Sequence, residues 1–147
     1  MEKNIALRAR CTGTKTPLRF PMGILGFEEL SQYTLEHKGE GPVWELREAG
    51  DGGPRFILFE ADAVADRYCP ALPRDVLAAL GAEEPGELFF FAVAVVPDDI
   101  ALTTVNLRSP IAVNFEAGLA AQVVLESAGY PMRHPVFPGE GGGQRCS

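Results

Sequence analysis

Residues 88–96, L-F-F-F-A-V-A-V-V, constrain the fold more than any other part of the chain. They are apolar on both faces that a β-strand would present, so such a strand must be covered on two sides. Three further β-type segments follow at short intervals, 100–107, 111–115 and 119–126. Turn residues separate them: Pro97-Asp98-Asp99, Arg108-Ser109-Pro110 and Glu116-Ala117-Gly118. Several short strands punctuated in this way predict an antiparallel barrel or sandwich. In the last of them Leu119, Ala121, Val123 and Leu125 share one face, with Gln122 and Glu126 on the other.

The rest of the chain fits the same class. Ile5, Leu7, Ala9 and Cys11 alternate with Ala6, Arg8 and Arg10, which predicts a half-buried strand at the N-terminus. Phe20-Pro21-Met22-Gly23-Ile24-Leu25-Gly26-Phe27 reads as an ordered loop rich in apolar groups, which either plugs a barrel end or offers a contact patch. Residues 43–48 and 55–61 read as strands joined by the glycine-rich segment 49–54. Residues 73–80 form the one short helix expected, with Pro73 in the first turn, Asp75 near the positive end of the dipole and Gly81 at the exit. The expected architecture is therefore mainly β: a small antiparallel β-barrel or sandwich-like single domain over residues 1–137. Residues 138–147, P-G-E-G-G-G-Q-R-C-S, are expected to be a disordered tail.

Charge and cysteine content narrow the function. The net charge of −7 is uneven, because residues 1–20 carry +4 and the remainder −11. So acidic a body repels phosphate backbones, which argues against direct nucleic-acid binding and suits a basic protein partner. Solubility alone also explains an acidic surface. The longest apolar stretch falls far short of the roughly 20 residues of a membrane-spanning helix. The N-terminal M-E-K-N-I-A-L-R-A-R has no secretory core. Three scattered cysteines, Cys11, Cys69 and Cys146, fit reduced thiols in a cytoplasmic protein. A buried, inert thiol is expected at Cys69, and a solvent-exposed imidazole at His37.

No catalytic constellation is visible. Serines 31, 109, 127 and 147 lie outside any G-x-S-x-G turn. Asp98 and Asp99 would point to opposite faces of a strand, and in a turn they would cap it. Two distant histidines, His37 and His134, do not make a zinc site. No cofactor is expected, and an enzyme is disfavoured. Asn106 and Asn114 flank the apparent turn around Pro110; they are either binding groups or, preferably, amides that satisfy buried backbone. Gln122, Arg133 and His134 read the same way, as hydrogen-bonding structural groups.

Five phrases, F-P-M-G-I-L-G-F-E at 20–28, V-V-P-D-D at 95–99, T-T-V-N-L-R-S-P-I at 103–111, Q-V-V-L at 122–125 and Y-P-M-R-H-P at 130–135, resemble the FliW family of flagellar assembly factors. Their order and spacing cover residues 4–137, and the glycine-rich insertion at 50–53 and the C-terminal tail depart from the pattern. The resemblance implies a small, mostly β, barrel-like protein without enzymatic activity, monomeric when free. It further implies binding to the RNA-binding translational regulator CsrA, whose repression of flagellin synthesis is thereby relieved, and to flagellin, which competes for it. Two alternatives stay open: a flagellin-specific chaperone that does not antagonise CsrA, and a small β-barrel ligand-binding protein. From side-chain chemistry, the partner-binding residues expected are Met22, Leu25 and Phe27 for apolar contact. Glu60, Asp62, Asp66, Asp98 and Asp99 are expected to attract a basic partner.

Overall fold

A computed structural model describes residues 2–11, 13–39, 41–50, 52–126 and 129–137; the expected tail at 138–147 lies outside them. The chain runs through helix α1 (Glu2–Cys11) and strands β1 (Lys15–Arg19), β2 (Gln32–His37), β3 (Val43–Glu48) and β4 (Arg55–Glu60). Helices α2 (Ala61–Val64) and α3 (Arg74–Ala79) follow, then β5 (Phe89–Val95), β6 (Thr104–Asn114), β7 (Leu119–Gln122) and β8 (His134–Pro135). The strands lie in the order β5-β4-β3-β2-β1-β7-β6, and β6 pairs back onto β5, so seven strands close a barrel with β8 added against the first half of β6. Neighbours are antiparallel except at the β1–β7 seam, a parallel contact at Arg19 and Leu119. The expectation of a mainly β, barrel-like domain holds.

Alternation decides what fills the barrel. Leu18, Tyr33, Leu35, Trp44, Leu46, Leu58, Phe91, Ile111, Val113 and Ala120 point inward from seven strands and form the main core. The opposite face of β5 is covered as well: Phe90 and Ala92 pack against Tyr68, Val105 and the segment around α2, while Leu80 and Leu88 meet Ala112 and Ala121 near α3. The two-sided apolarity of β5 thus has its structural counterpart.

Five expectations are corrected. The N-terminal segment is a helix, not a strand. Its alternation coexists with a helical spacing of Asn4, Leu7 and Cys11, and these are the residues it buries, leaving Ile5 outside. Among the described residues there are three short α-helical segments rather than one, and residues 100–102 form a 3₁₀ turn in place of the start of a strand. His37 is 6% exposed, because the inward set Tyr33, Leu35, His37 of β2 carries its ring against Trp44, with Nε2 2.7 Å from the Gly41 carbonyl oxygen. Cys69 is exposed, and Cys11 is buried.

The expected strand–turn–strand at 100–115 is also one continuous strand. Phe91 pairs with Ile111 and Val93 with Asn106, so four residues of β6, Leu107 to Pro110, stand opposite the single Ala92. The apparent turn is a large bulge, which bends β6 without reversing it. Its polar groups are satisfied one by one. Asn106 Oδ1 accepts from the amides of Arg108 (3.0 Å) and Ser109 (3.1 Å), and Leu107 N donates to Pro131 O. Leu107 O accepts from the Tyr68 hydroxyl at 2.5 Å, and burial raises that phenol far above its ordinary pKa. Val123 N and Leu125 N donate to Pro110 O and Arg108 O. Pro110 fits because a bulge needs no ladder donor there.

Both barrel mouths are closed by segments outside the strands. At one, α1 inserts Leu7 and Cys11 into the core. Arg8 grips Glu60 through two hydrogen bonds, 2.8 Å from Nε and 2.5 Å from Nη2, and Trp44 Nε1 donates to the same carboxylate at 2.8 Å. This ionic bond, and less so the nearby charges of Glu60 and Asp62, raises the Arg8 pKa against the opposing effect of burial. Lys3 Nζ donates to Leu88 O and Gly86 O, and Asn4 Nδ2 to Asp62. At the other mouth, the loop after β1 inserts Phe20 and Ile24. Gly23, at φ +70°, fixes its path; a Cβ there would lie 2.6 Å from the Glu28 Cα and carbonyl oxygen.

Two outcomes follow for stability. Arg8→Ala strands the Glu60 carboxylate and lowers the unfolding free energy by about 3 kcal/mol in denaturant titration, with Arg8→Lys recovering part of the loss. Gly23→Ala destabilises by about 2 kcal/mol or more, since it combines a left-handed backbone with a backbone clash. Gly26→Ala, at φ +89° in open space, costs only about 1 kcal/mol. Equal effects of the two glycine variants would contradict the clash.

Candidate protein-binding surface

The loop that closes the second mouth buries part of its apolar content and displays the rest. Phe20 and Ile24 sit in the core, whereas Met22 is 62% exposed, Leu25 59% and Phe27 38%. Phe20 and Ile24 thus plug the barrel end, while Met22, Leu25 and Phe27 of the same loop stay outside it. The display is held by hydrogen bonds and a ring contact. Leu25 N donates to Gln122 Oε1 at 2.9 Å, and Phe27 N to Ile24 O. Gly26 N donates to Glu28 Oε2, and the Phe27 ring meets Phe56 edge-on at 5.9 Å.

A chain of contacts runs around this mouth. From Leu25 it passes to Gln122, whose Nε2 donates to Ser109 O at 3.3 Å. Ser109 N donates to Asn106, Asn106 pairs with Val93, Val93 with Leu58 of β4, and Phe56 on the same strand returns to Phe27. Asn106 and Gln122 are the braces of the rim on which the loop rests. The connection from β5 to β6 leaves the barrel at this same end and exposes Val95, Val96, Ile100 and Leu102. These four were not singled out in the sequence. The apolar run stops at Pro97 and resumes at Ile100, and nothing in that pattern says that no strand covers these residues. Asp98 and Asp99 lie among them, both exposed, and Asp99 accepts from Ala101 N at 3.2 Å to cap the 3₁₀ turn. One end of the barrel therefore joins exposed apolar groups to unneutralised carboxylates.

The other expected site residues are distributed differently. Glu60 cannot attract a partner: it is 1% exposed and spent on Arg8 and Trp44, because its place at the end of β4 turns it beneath α1. Asp62 accepts from Asn4 on that same side, and Asp66 is exposed just beyond α2. Both lie by the α1 mouth, apart from Asp98 and Asp99. Asn114 Oδ1 accepts from Glu116 N and Ala117 N while its Nδ2 donates to Leu80 O, fastening the β6–β7 turn to the end of α3. Arg133 is exposed, and His134 Nε2 lies 3.0 Å from Val64 O. A concavity of about 370 Å³ beside α1 is lined by Lys3, Asn4, Asp66, Tyr68 and the exposed Cys69, and not by Asp98, Arg133 or His134. Among the described residues no three His, Cys, Asp or Glu side chains converge to hold a metal.

Comparisons with known proteins agree with one another. A sequence model of the family described as "FliW protein" matches residues 7–136. The flagellar assembly factor FliW of Symbiobacterium thermophilum is 34% identical over 122 residues, which span 82% of this chain and 88% of that protein. The FliW of Syntrophus aciditrophicus is 31% identical over 78% of this chain and 73% of its own length. A crystal structure of the flagellar assembly factor FliW superposes with a TM-score of 0.78 at 29% identity, covering 84% of this chain and 87% of that one. The chain belongs to the FliW family.

Proposed function

We propose that this protein controls flagellin synthesis by reversible protein binding, capturing the translational regulator CsrA and yielding to flagellin when that subunit accumulates. It performs no chemistry of its own and needs no cofactor; it acts in the cytoplasm, as a monomer when free. The observation that carries this reading is the apolar, acid-flanked barrel end. Met22 and Leu25 stand more than half exposed on a loop whose backbone is already fixed. Ordered apolar anchors lose little conformational freedom on binding, and such anchors dominate protein–protein affinity. Asp98 and Asp99 beside them attract a basic regulator and hasten its encounter. Family membership supports a role in flagellar assembly, and the acidic body disfavours competition for RNA itself.

The test is a pull-down and titration with CsrA, with and without flagellin. CsrA is expected to bind at micromolar concentration or tighter and to be displaced by flagellin. Met22→Ser/Leu25→Ser is expected to weaken CsrA capture roughly tenfold or more, with an unchanged circular dichroism spectrum. Undiminished binding by that variant would move the site elsewhere. No CsrA complex at all would leave a flagellin chaperone as the reading, and a stable ternary complex would rule out exchange of partners.

A further inference from the structure

The outer wall of β1–β4 carries the opposite charge from the rest of the molecule. Its outward positions hold Lys15, Arg19, Arg47 and Arg55 against Glu36 and Glu45, on a chain whose net charge is −7. Arg47 and Arg55 are direct cross-strand partners, an arrangement of like charges that disfavours the sheet. Glu45 explains only part of it. That carboxylate, 8% exposed, has Arg47 and Arg55 each at 3.4 Å and Lys38 at 3.9 Å, three cations where one neutralises it. Lys15 adds a fourth cation, without an ion-pair partner among the described residues.

The wall is also hollow at this point. Thr34 sits beside Arg47 on the neighbouring strand, and among the described residues the β3–β4 turn supplies Ala49, Gly50, Gly52 and Gly53. Small side chains between long cationic ones leave a concavity of about 420 Å³. The acid that lines the hollow among the described residues, Glu48, is folded back onto its own turn, accepting from Gly50 N at 3.0 Å, and it needs the glycine at 53, where a Cβ would lie 2.2 Å from its Oε1. This turn is the part of the chain that departs from the FliW-like phrases, so the feature is not carried by them.

We propose that this hollow is a second docking site, which takes an acidic polypeptide segment and places its carboxylates on Arg47, Arg55 and Lys15. Guanidinium groups suit carboxylates because their planar donors meet both oxygens. A strand-lined trough open to solvent fits an extended chain bearing several carboxylates. The site is independent of the apolar barrel end and does not rest on the function proposed for it.

The test uses the whole protein and hexaglutamate as the probe, followed by calorimetry and amide chemical shifts at low salt, with inorganic phosphate titrated separately. Hexaglutamate is expected to bind, to shift the amides of residues 47–55, and to lose affinity steeply with added salt. Arg47→Gln/Arg55→Gln is expected to weaken binding roughly tenfold, and Lys15→Gln about threefold. Met22→Ser/Leu25→Ser should leave it unchanged, which separates failure here from failure of the apolar site. Lys15→Gln removes no ion pair among the described residues, so it decides the matter if the arginine variant folds poorly. Wild-type affinity in both cationic variants would overturn the proposal. So would phosphate binding at these arginines without hexaglutamate binding, which would make the hollow a small-anion site.

Discussion

Closure of this barrel depends on how β6 reconciles its neighbours. It pairs with β8 and the end of β5 along its first half and with the start of β5 and β7 along its second. A regular strand cannot keep both halves in register around so small a circumference. The extra residues at Leu107–Pro110 take up the difference, and they are tolerable only because every polar group they free is met. The Asn106 side chain does for the bulge what a neighbouring strand would do for a ladder. Most of what is distinctive in the sequence from 103 to 125 serves this bend.

The two mouths are then closed by unlike means. At one, a helix is held by the Arg8–Glu60–Trp44 cluster, a charge-based clamp in a largely dry setting. At the other, a loop is held by backbone amides, a glycine and the rim braces Gln122 and Asn106. Ionic closure leaves the first end engaged with itself. Backbone closure leaves the loop's side chains free, and half of them point outward. That difference, more than the sheet, gives the molecule a front and a back.

Much of the fold was legible because β-strand alternation is local: β3, β4, β5 and β7 lie close to where the pattern puts them. The errors share a cause. At residues 5–11 the apolar positions satisfy two periods at once, and the choice between them is made by Glu60 and the open mouth, which lie some fifty residues away. At 107–110, Arg-Ser-Pro is turn chemistry, but the register of β5 decides whether the chain reverses or bulges. Glu60 read as a surface acid because its burial depends on α1 being a helix. At the candidate site, Met22, Leu25 and Phe27 could be picked out as too apolar for an ordinary loop. The adjoining Val95, Val96, Ile100 and Leu102 could not, since exposure of a strand's overrun is visible only once the strand ends.

The position of α1 bears on how the chain comes into being. Its anchors are Glu60, Asp62 and the carbonyl groups of Gly86 and Leu88, so α1 finds its last partners only after the chain has been made as far as the start of β5. Until then Leu7 and Cys11 have no core to enter. The α1 segment waits, amphipathic and unplaced, while β1 to β4 are made. Any extension fused there would then ride on the charge-clamped end, leaving the loop of Met22 and Leu25 unobstructed.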